Sequence, residues 1–169
     1  MADQRRRYSV ATPAAGVAPG TVLTATPPLT LYNPLGSSVA LELIGASMGY
    51  VSGTLGKGTL VLGANPSTTQ AAPTGGTLLA QVGTYFGYTG SVALCYQGAT
   101  LAAVPTLVEP LFITGAFVGA ADTALQLERR WENLRKVLAP GTSISLQGIM
   151  AAGAAPLVIL ALWWEETPI

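Results

Sequence analysis

Apolar and polar residues alternate along much of this chain with the two-residue period of a β-strand, and almost nowhere with the 3.6-residue period of a helix. Ser38 to Ser52 is the clearest case, with Val39, Leu41 and Leu43 on one face and Ala40, Glu42 and Ile44 on the other. Met48 and Tyr50 continue the parity of Ile44 past Gly45-Ala46, where the glycine suggests a bulge or bend. Thr59 to Ala64 sets Leu60 and Leu62 against Val61, and Ser143 to Gly148 alternates around Ile144 and Leu146. Leu157 to Glu165 is apolar on both faces until its end and reads as a buried final strand. Leu107 to Gly115 carries the run Leu111-Phe112-Ile113. Thr21 to Thr26, ended by Pro27-Pro28, and Leu29 to Tyr32, ended by the turn pair Asn33-Pro34, read as two further strands. Ser91 to Tyr96 and Ala99 to Val104 are expected to pair across Gln97-Gly98, while Leu78 to Val82 and Tyr85 to Tyr88 are short apolar pieces of ambiguous type.

One segment departs from this pattern. In Asp122 to Leu138, Leu125, Leu127, Trp131, Leu134 and Leu138 partly follow a helical period. Two readings stay open there: a short helix, or extended chain with a loop at Glu132-Asn133. Asn65 to Gly76 has the composition of a loop. The expected fold is all-β, an antiparallel β-sandwich or jelly roll of about seven to nine strands. Residues 1–20, rich in Ala, Pro and Gly, are expected to form a flexible N-terminal arm, and residues 21–169 a single domain. Alternating βα units are missing, which argues against Rossmann-type and TIM-type enzymes.

Charge changes the picture more than hydropathy does. The 169 residues include eight Lys or Arg and eight Asp or Glu, for a net charge of zero, and charged residues make up 9% of the chain. An ordinary soluble domain carries about 25%. The few charges are also segregated. Arg5, Arg6 and Arg7 form a block near the start; from Tyr8 to Val108 only Glu42 and Lys57 are charged; a mixed cluster runs from Asp122 to Lys136; and Glu165-Glu166 stand near the end. A surface so poor in charge is weakly protected against association, so burial in an oligomer or larger assembly is expected, with a closed trimer as one arrangement. The interface candidates are Arg5, Arg6 and Arg7 on the arm, Arg129, Arg130 and Trp131 in the charged cluster, and Trp164 on the last strand. One of the two adjacent tryptophans, Trp163 and Trp164, should face the core and the other a subunit contact.

Candidate chemistry is sparse. Without histidine, triad catalysis and imidazole-held metals are excluded, and the single cysteine, Cys95, excludes a disulfide framework and thiolate clusters. In its apolar context Cys95 reads as a buried structural thiol. Glu42 stands alone in an apolar strand. It reads as an outward residue, or one paired with Lys57, more readily than as half of a glycosidase carboxylate pair. The glycines of Gly53-x-x-Gly56-x-Gly58 lack the following helix and Lys-Ser/Thr of a phosphate loop and read as a tight connection. The longest apolar run, Pro156 to Trp164, is shorter than the ~20 residues of a membrane span. Tyr8 to Gly20 has no apolar core of the kind a signal peptide needs. No catalytic, cofactor-binding or metal-binding residue is assigned, and neither a membrane nor a nucleic acid is an expected partner.

Leu31-Tyr32-Asn33-Pro34, Ile44, the stretch Met48 to Gly56, and the ending from Pro140-Gly141 through Gly148 to Trp164-Glu165-Glu166 resemble small virion proteins of tailed bacteriophages. These are capsid decoration or cement proteins of jelly-roll type, often trimeric. The resemblance covers roughly residues 29–64 and 137–168. It implies a non-enzymatic protein without cofactors, made in the host cytoplasm. Such a protein would self-associate and sit on the outside of the virion against the major capsid protein. The N-terminal arm and Asp122 to Lys136 fall outside it. Two other readings share the sandwich physics: a tail, baseplate or head-fibre component, and a lectin-like carbohydrate-binding module using Tyr85, Phe86 and Tyr88.

Overall fold

A computed structural model describes residues 6–84, 90–114, 117–118, 126–131 and 135–169. It is an antiparallel β-sandwich, and the described residues contain no helix. In chain order the strands are β1 (Arg6–Ala11), β2 (Leu29–Tyr32), β3 (Val39–Leu55), β4 (Gly58–Asn65), β5 (Thr77–Leu79), β6 (Val82–Gly83), β7 (Leu94–Gln97), β8 (Thr106–Thr114), β9 (Phe117–Val118), β10 (Gln126–Arg130), β11 (Lys136–Leu138), β12 (Ser143–Met150) and β13 (Ala154–Pro168). Sheet A has seven strands, ordered β10-β3-β13-β1-β6, with β11 and β9 also pairing with β3. Sheet B has six, ordered β5-β7-β2-β12-β4-β8.

The period-two pattern accounts for the core. Tyr8 and Val10 of β1, Leu41, Leu43, Ala46 and Met48 of β3, and Val158, Leu160, Leu162 and Trp164 of β13 point inward from sheet A. They meet Leu29 and Leu31 of β2, Leu60 and Leu62 of β4, Cys95 of β7, Phe112 of β8, and Ile144 and Leu146 of β12. The inward parity of β3 switches from odd to even between Leu43 and Ala46. Across that step the pairing slips, with Trp163 opposite Gly45 and Trp164 opposite Leu43. The bulge expected at Gly45 is therefore present, and it lets one strand keep a buried face on either side of the irregularity.

The glycine-rich connection is a corner. β3 lies in sheet A and β4 in sheet B, so Gly56 and Lys57 carry the chain across the sandwich. The return crossing from β12 to β13 packs directly against it, with Ala151 N–H donating to Lys57 O at 2.8 Å. A Cβ on Gly56 would stand 1.9 Å from Ala151 O, and one on Gly153 1.9 Å from Thr54 O. Only glycine allows two backbones to approach so closely.

Four expectations need correction. The arm expected over residues 1–20 is, from Arg6 onward, part of the sandwich. β1 pairs with β13 along its whole length, and Val17 is buried beside Val158. Tyr8 and Val10 supply enough apolar surface to hold the segment despite its Ala, Pro and Gly content. The helical alternative near 122–138 fails where it can be followed. Gln126 to Arg130 pairs with Gly49 to Gly45, and Lys136 to Leu138 with Leu43 to Leu41. Pairing to the long strand β3 overrides a weak helical period. The loop expected at Glu132-Asn133 lies outside the described residues. Thr21 to Thr26 and Ala99 to Val104 contain no strand; they form part of a covering layer.

Candidate functional site

The two sheets present different outer faces. On sheet B the outward side chains are polar yet buried: Thr30, Asn65, Ser143, Ser145 and Gln147. Three irregular segments cover them. From residues 19–28, Thr24 N–H donates to Gln147 Oε1 at 2.9 Å, and Gly148 N–H donates to Pro19 O. From residues 66–76, Gln70 Nε2 donates to Ser143 Oγ, and its carbonyl accepts from Tyr32 Oη. From residues 99–105, Ala103 O accepts from Asn65 Nδ2 at 2.9 Å. This third layer turns an outer face rich in Ser, Thr and Gln into interior, and its hydrogen bonds engage the amides of Asn65 and Gln147 and the Ser143 hydroxyl, while the Thr30 hydroxyl is buried without a partner among the described residues.

Sheet A carries the charge. Every described charged residue except Lys57 and Glu109 lies on its strands or, as Arg135 does, immediately before one. Across β1, β13 and β3 runs a row of charges. Arg7 Nε donates to Glu165 Oε2 at 2.9 Å, Glu165 stands opposite Glu42, and Glu42 pairs with Arg135 at 3.2 Å. The partner of Glu42 is thus Arg135 and not Lys57. The row brings two carboxylates side by side, but on an open sheet face with an arginine at each end. The cleft of about 280 Å³ lies elsewhere, at the sandwich edge beside Leu43, Leu62, Leu138 and Ile144. Among the described residues Lys136 is the only charged one lining it, so the Glu42–Glu165 pair does not face this cleft.

Both open edges between the sheets are closed by a glutamate. On one edge Glu109 of β8 accepts from Trp131 Nε1 at 2.5 Å and pairs with Lys136 at 3.4 Å, tying sheet B to the β10–β11 side of sheet A. On the other, Glu166 of β13 accepts from Ser91 Oγ at 2.6 Å and Val92 N–H at 3.0 Å, pinning the chain that leads into β7. At the end of the sandwich Asn33, fully buried, donates to Val39 O and Leu138 O and accepts from Ser37 Oγ. The sequence marked Asn33-Pro34 only as a turn.

The residues singled out from sequence therefore separate. Arg7 belongs to the charge row and Arg6 to the exposed start of β1, while Arg5 lies outside the described residues. Arg129 and Arg130 sit exposed on β10, where Arg130 pairs with Glu128. Trp131 is an internal strut, only 7% exposed. Trp164 is fully buried and stacks on Tyr8 with ring centroids 6.0 Å apart, so it belongs to the core and not to a subunit contact. The half-exposed tryptophan is Trp163. Cys95 is a buried free thiol whose pKa burial pushes up to about 12, which keeps it protonated and unreactive at neutral pH. Tyr85, Phe86 and Tyr88 lie outside the described residues. No family model, curated protein or solved structure matches this chain.

No sequence signal marked Asn33, Glu109 or Glu166 as ties, because each works through a partner remote in the chain. Glu109 was visible as an isolated carboxylate in an apolar run, the one feature that could have drawn attention to it.

Proposed function

We propose that this protein is a structural, non-enzymatic component of a tailed-bacteriophage virion. It self-associates, as a trimer, and decorates the outside of the capsid through contact with the major capsid protein. The observation that carries the reading is the segregation of surface charge. One side of the sandwich, the layer over sheet B, presents uncharged Thr, Ala, Pro and exposed Val22, Leu35 and Val104. The other side carries nearly all the described charge in compensating pairs. A surface free of charge needs little desolvation when it docks on a lattice, and paired arginines offer little field to nucleic acid. The likeness of residues 29–64 and 137–168 to jelly-roll decoration proteins supports the same reading.

Immunogold labelling of purified particles is the test. Labelling over the capsid is the expected result. Labelling confined to the tail would move the protein to a tail or fibre role, and its absence from purified particles would overturn the proposal.

A further inference from the structure

Sheet B is supplied with a third layer by its own chain; among the described residues the middle of sheet A is not. The outer face of sheet A shows Ser9 of β1, Ile44, Ser47 and Gly49 of β3, and Ile159, Ala161 and Trp163 of β13, all partly exposed. Val82 of β6 adds to it at 50% exposure and Val137 of β11 at 56%. Among the described residues no hydrogen bond ties a covering segment to the middle of this face. Its charges lie at the margins: the row Arg7–Glu165–Glu42–Arg135 at one end, and the pair Glu128–Arg130 on β10. Apolar centre and polar rim are the anatomy of a protein contact, and the rim pairs are already neutralised within the chain.

Gly49 adds a separate pointer. It sits in the middle of the long strand β3, opposite Ile159, without the positive φ that would call for glycine, and a Cβ there would meet no described atom within 4 Å. The other glycine of this face, Gly45, is explained internally, since its Cβ would press on Arg129 O and the Trp163 ring at 2.9 and 3.0 Å. Glycine weakens a strand interior, and it belongs where another backbone comes close. Beyond its strand neighbours, nothing described in this chain lies over Gly49.

We infer that the outer face of sheet A is where a second copy of this chain packs, sheet against sheet. The inference rests on the reading of the protein as a self-associating structural component, and puts a two-fold pair of sheets in place of its trimer. Five residues of β10, eight each of β3 and β13, six of β1 and two of β6, at about 4.8 Å by 3.4 Å per residue, give roughly 470 Å² of sheet plane. Side-chain relief adds to this, which places the contact at the small, weaker end of specific interfaces, below the ~800 Å² per partner of a standard one. Small side chains at Ser9, Ser47, Gly49 and Ala161 leave the face flat enough for the ~10 Å spacing of packed sheets. The two charged margins bring no net charge into the contact, so a second copy fits without burying an unpaired ion.

Sedimentation velocity on the full chain tests this with Gly49→Arg and Ser47→Arg, beside Val104→Glu on the opposite side of the sandwich. Gly49→Arg enters open space in the single chain, so its fold should survive, which circular dichroism checks; Ser47→Arg is a second probe of the same face. The expected result is an associated wild type, a tenfold or greater weakening in both arginine variants, and no change in Val104→Glu. A wild type that stays monomeric at 100 micromolar would overturn the inference. So would arginine variants that associate as tightly as the wild type, even if the wild type is found on particles. Dissociation by Gly49→Arg would uphold the contact even if particle labelling fails, so the two proposals stand or fall separately.

Discussion

The two sheets solve the same problem in opposite ways. Each has one face in the common core and one face turned away from it. Sheet B turns out Thr30, Ser143, Ser145 and Gln147, then buries them under three loops, which hydrogen-bond Gln147 through Thr24 N–H and Ser143 through Gln70. Sheet A turns out apolar residues and a row of paired charges, with no such cover over its middle among the described residues. The polar outer face is thus the sealed one and the more apolar outer face is the open one, the reverse of what hydropathy alone would assign. Burial of polar groups is tolerable when partners are supplied locally. An apolar face left open is stable only if something else covers it.

Five substitutions would break or sharpen that contrast. The largest effect is expected from Trp164→Ala, which empties the core between the sheets beside Tyr8 and should cost about 3–5 kcal/mol in chemical denaturation. Trp163→Ala, one residue away on the open face, should cost much less fold stability; equal losses would mean that both faces of β13 are equally interior.

Gln147→Ala removes the tie between β12 and the covering segment at Thr24, and should cost about 2 kcal/mol. Amide exchange at Thr24 should quicken with it. If the Thr24 amide exchanges no faster, the layer over sheet B is held by something other than these bonds.

Cys95 contributes a smaller, alkaline effect. Its pKa rises from 9.0 to about 12 on folding, so the folded state disfavours the thiolate. The stabilisation is complete below pH 9 and is lost as pH climbs toward 12, amounting to about 1 kcal/mol by pH 10. A Cys95→Ala variant should show a shallower decline over that range, and an identical pH slope would refute the assignment. Least of all is expected from Arg7→Ala. Arg7 is half exposed, and loss of its pair with Glu165 should cost under about 1 kcal/mol. A larger loss would show that the charge row is a structural part of sheet A.

Much of the sandwich was legible in the alternation of β3, β4, β12 and β13, because each has at least one face in a water-free core and period two records that. β1 was hidden because Pro, Ala and Gly after Ala11 obscured the short alternation of Tyr8 and Val10. Residues 126–138 were ambiguous because Leu127, Trp131 and Leu138 satisfy either a helix face or two edge strands separated by a break. The covering segments could not be recognised at all. Thr21 to Thr26 has strand composition, and only the position of Gln147 beneath it decides that it lies across a sheet instead of within one. Of the interface candidates, the sequence could say that one tryptophan of the Trp163-Trp164 pair turns inward, but not which, since the parity of β13 is set by its long-range pairing with β3.

The placement of the last two strands bears on how the chain comes to be folded. β12 lies between β2 and β4, and β13 between β3 and β1, so each sheet receives an inner strand from the final part of the sequence. While the chain is still being made, β1 has no β13 to pair with, and β2 and β4 stay apart until β12 arrives. The earlier strands can form only the partial sheets β5–β7–β2, β4–β8, β1–β6 and β3 with β9, β10 and β11, which are not joined until residues 143–168 emerge. The two sheets should therefore be completed late, with the greatest demand on chaperones just before residues 143–168 emerge.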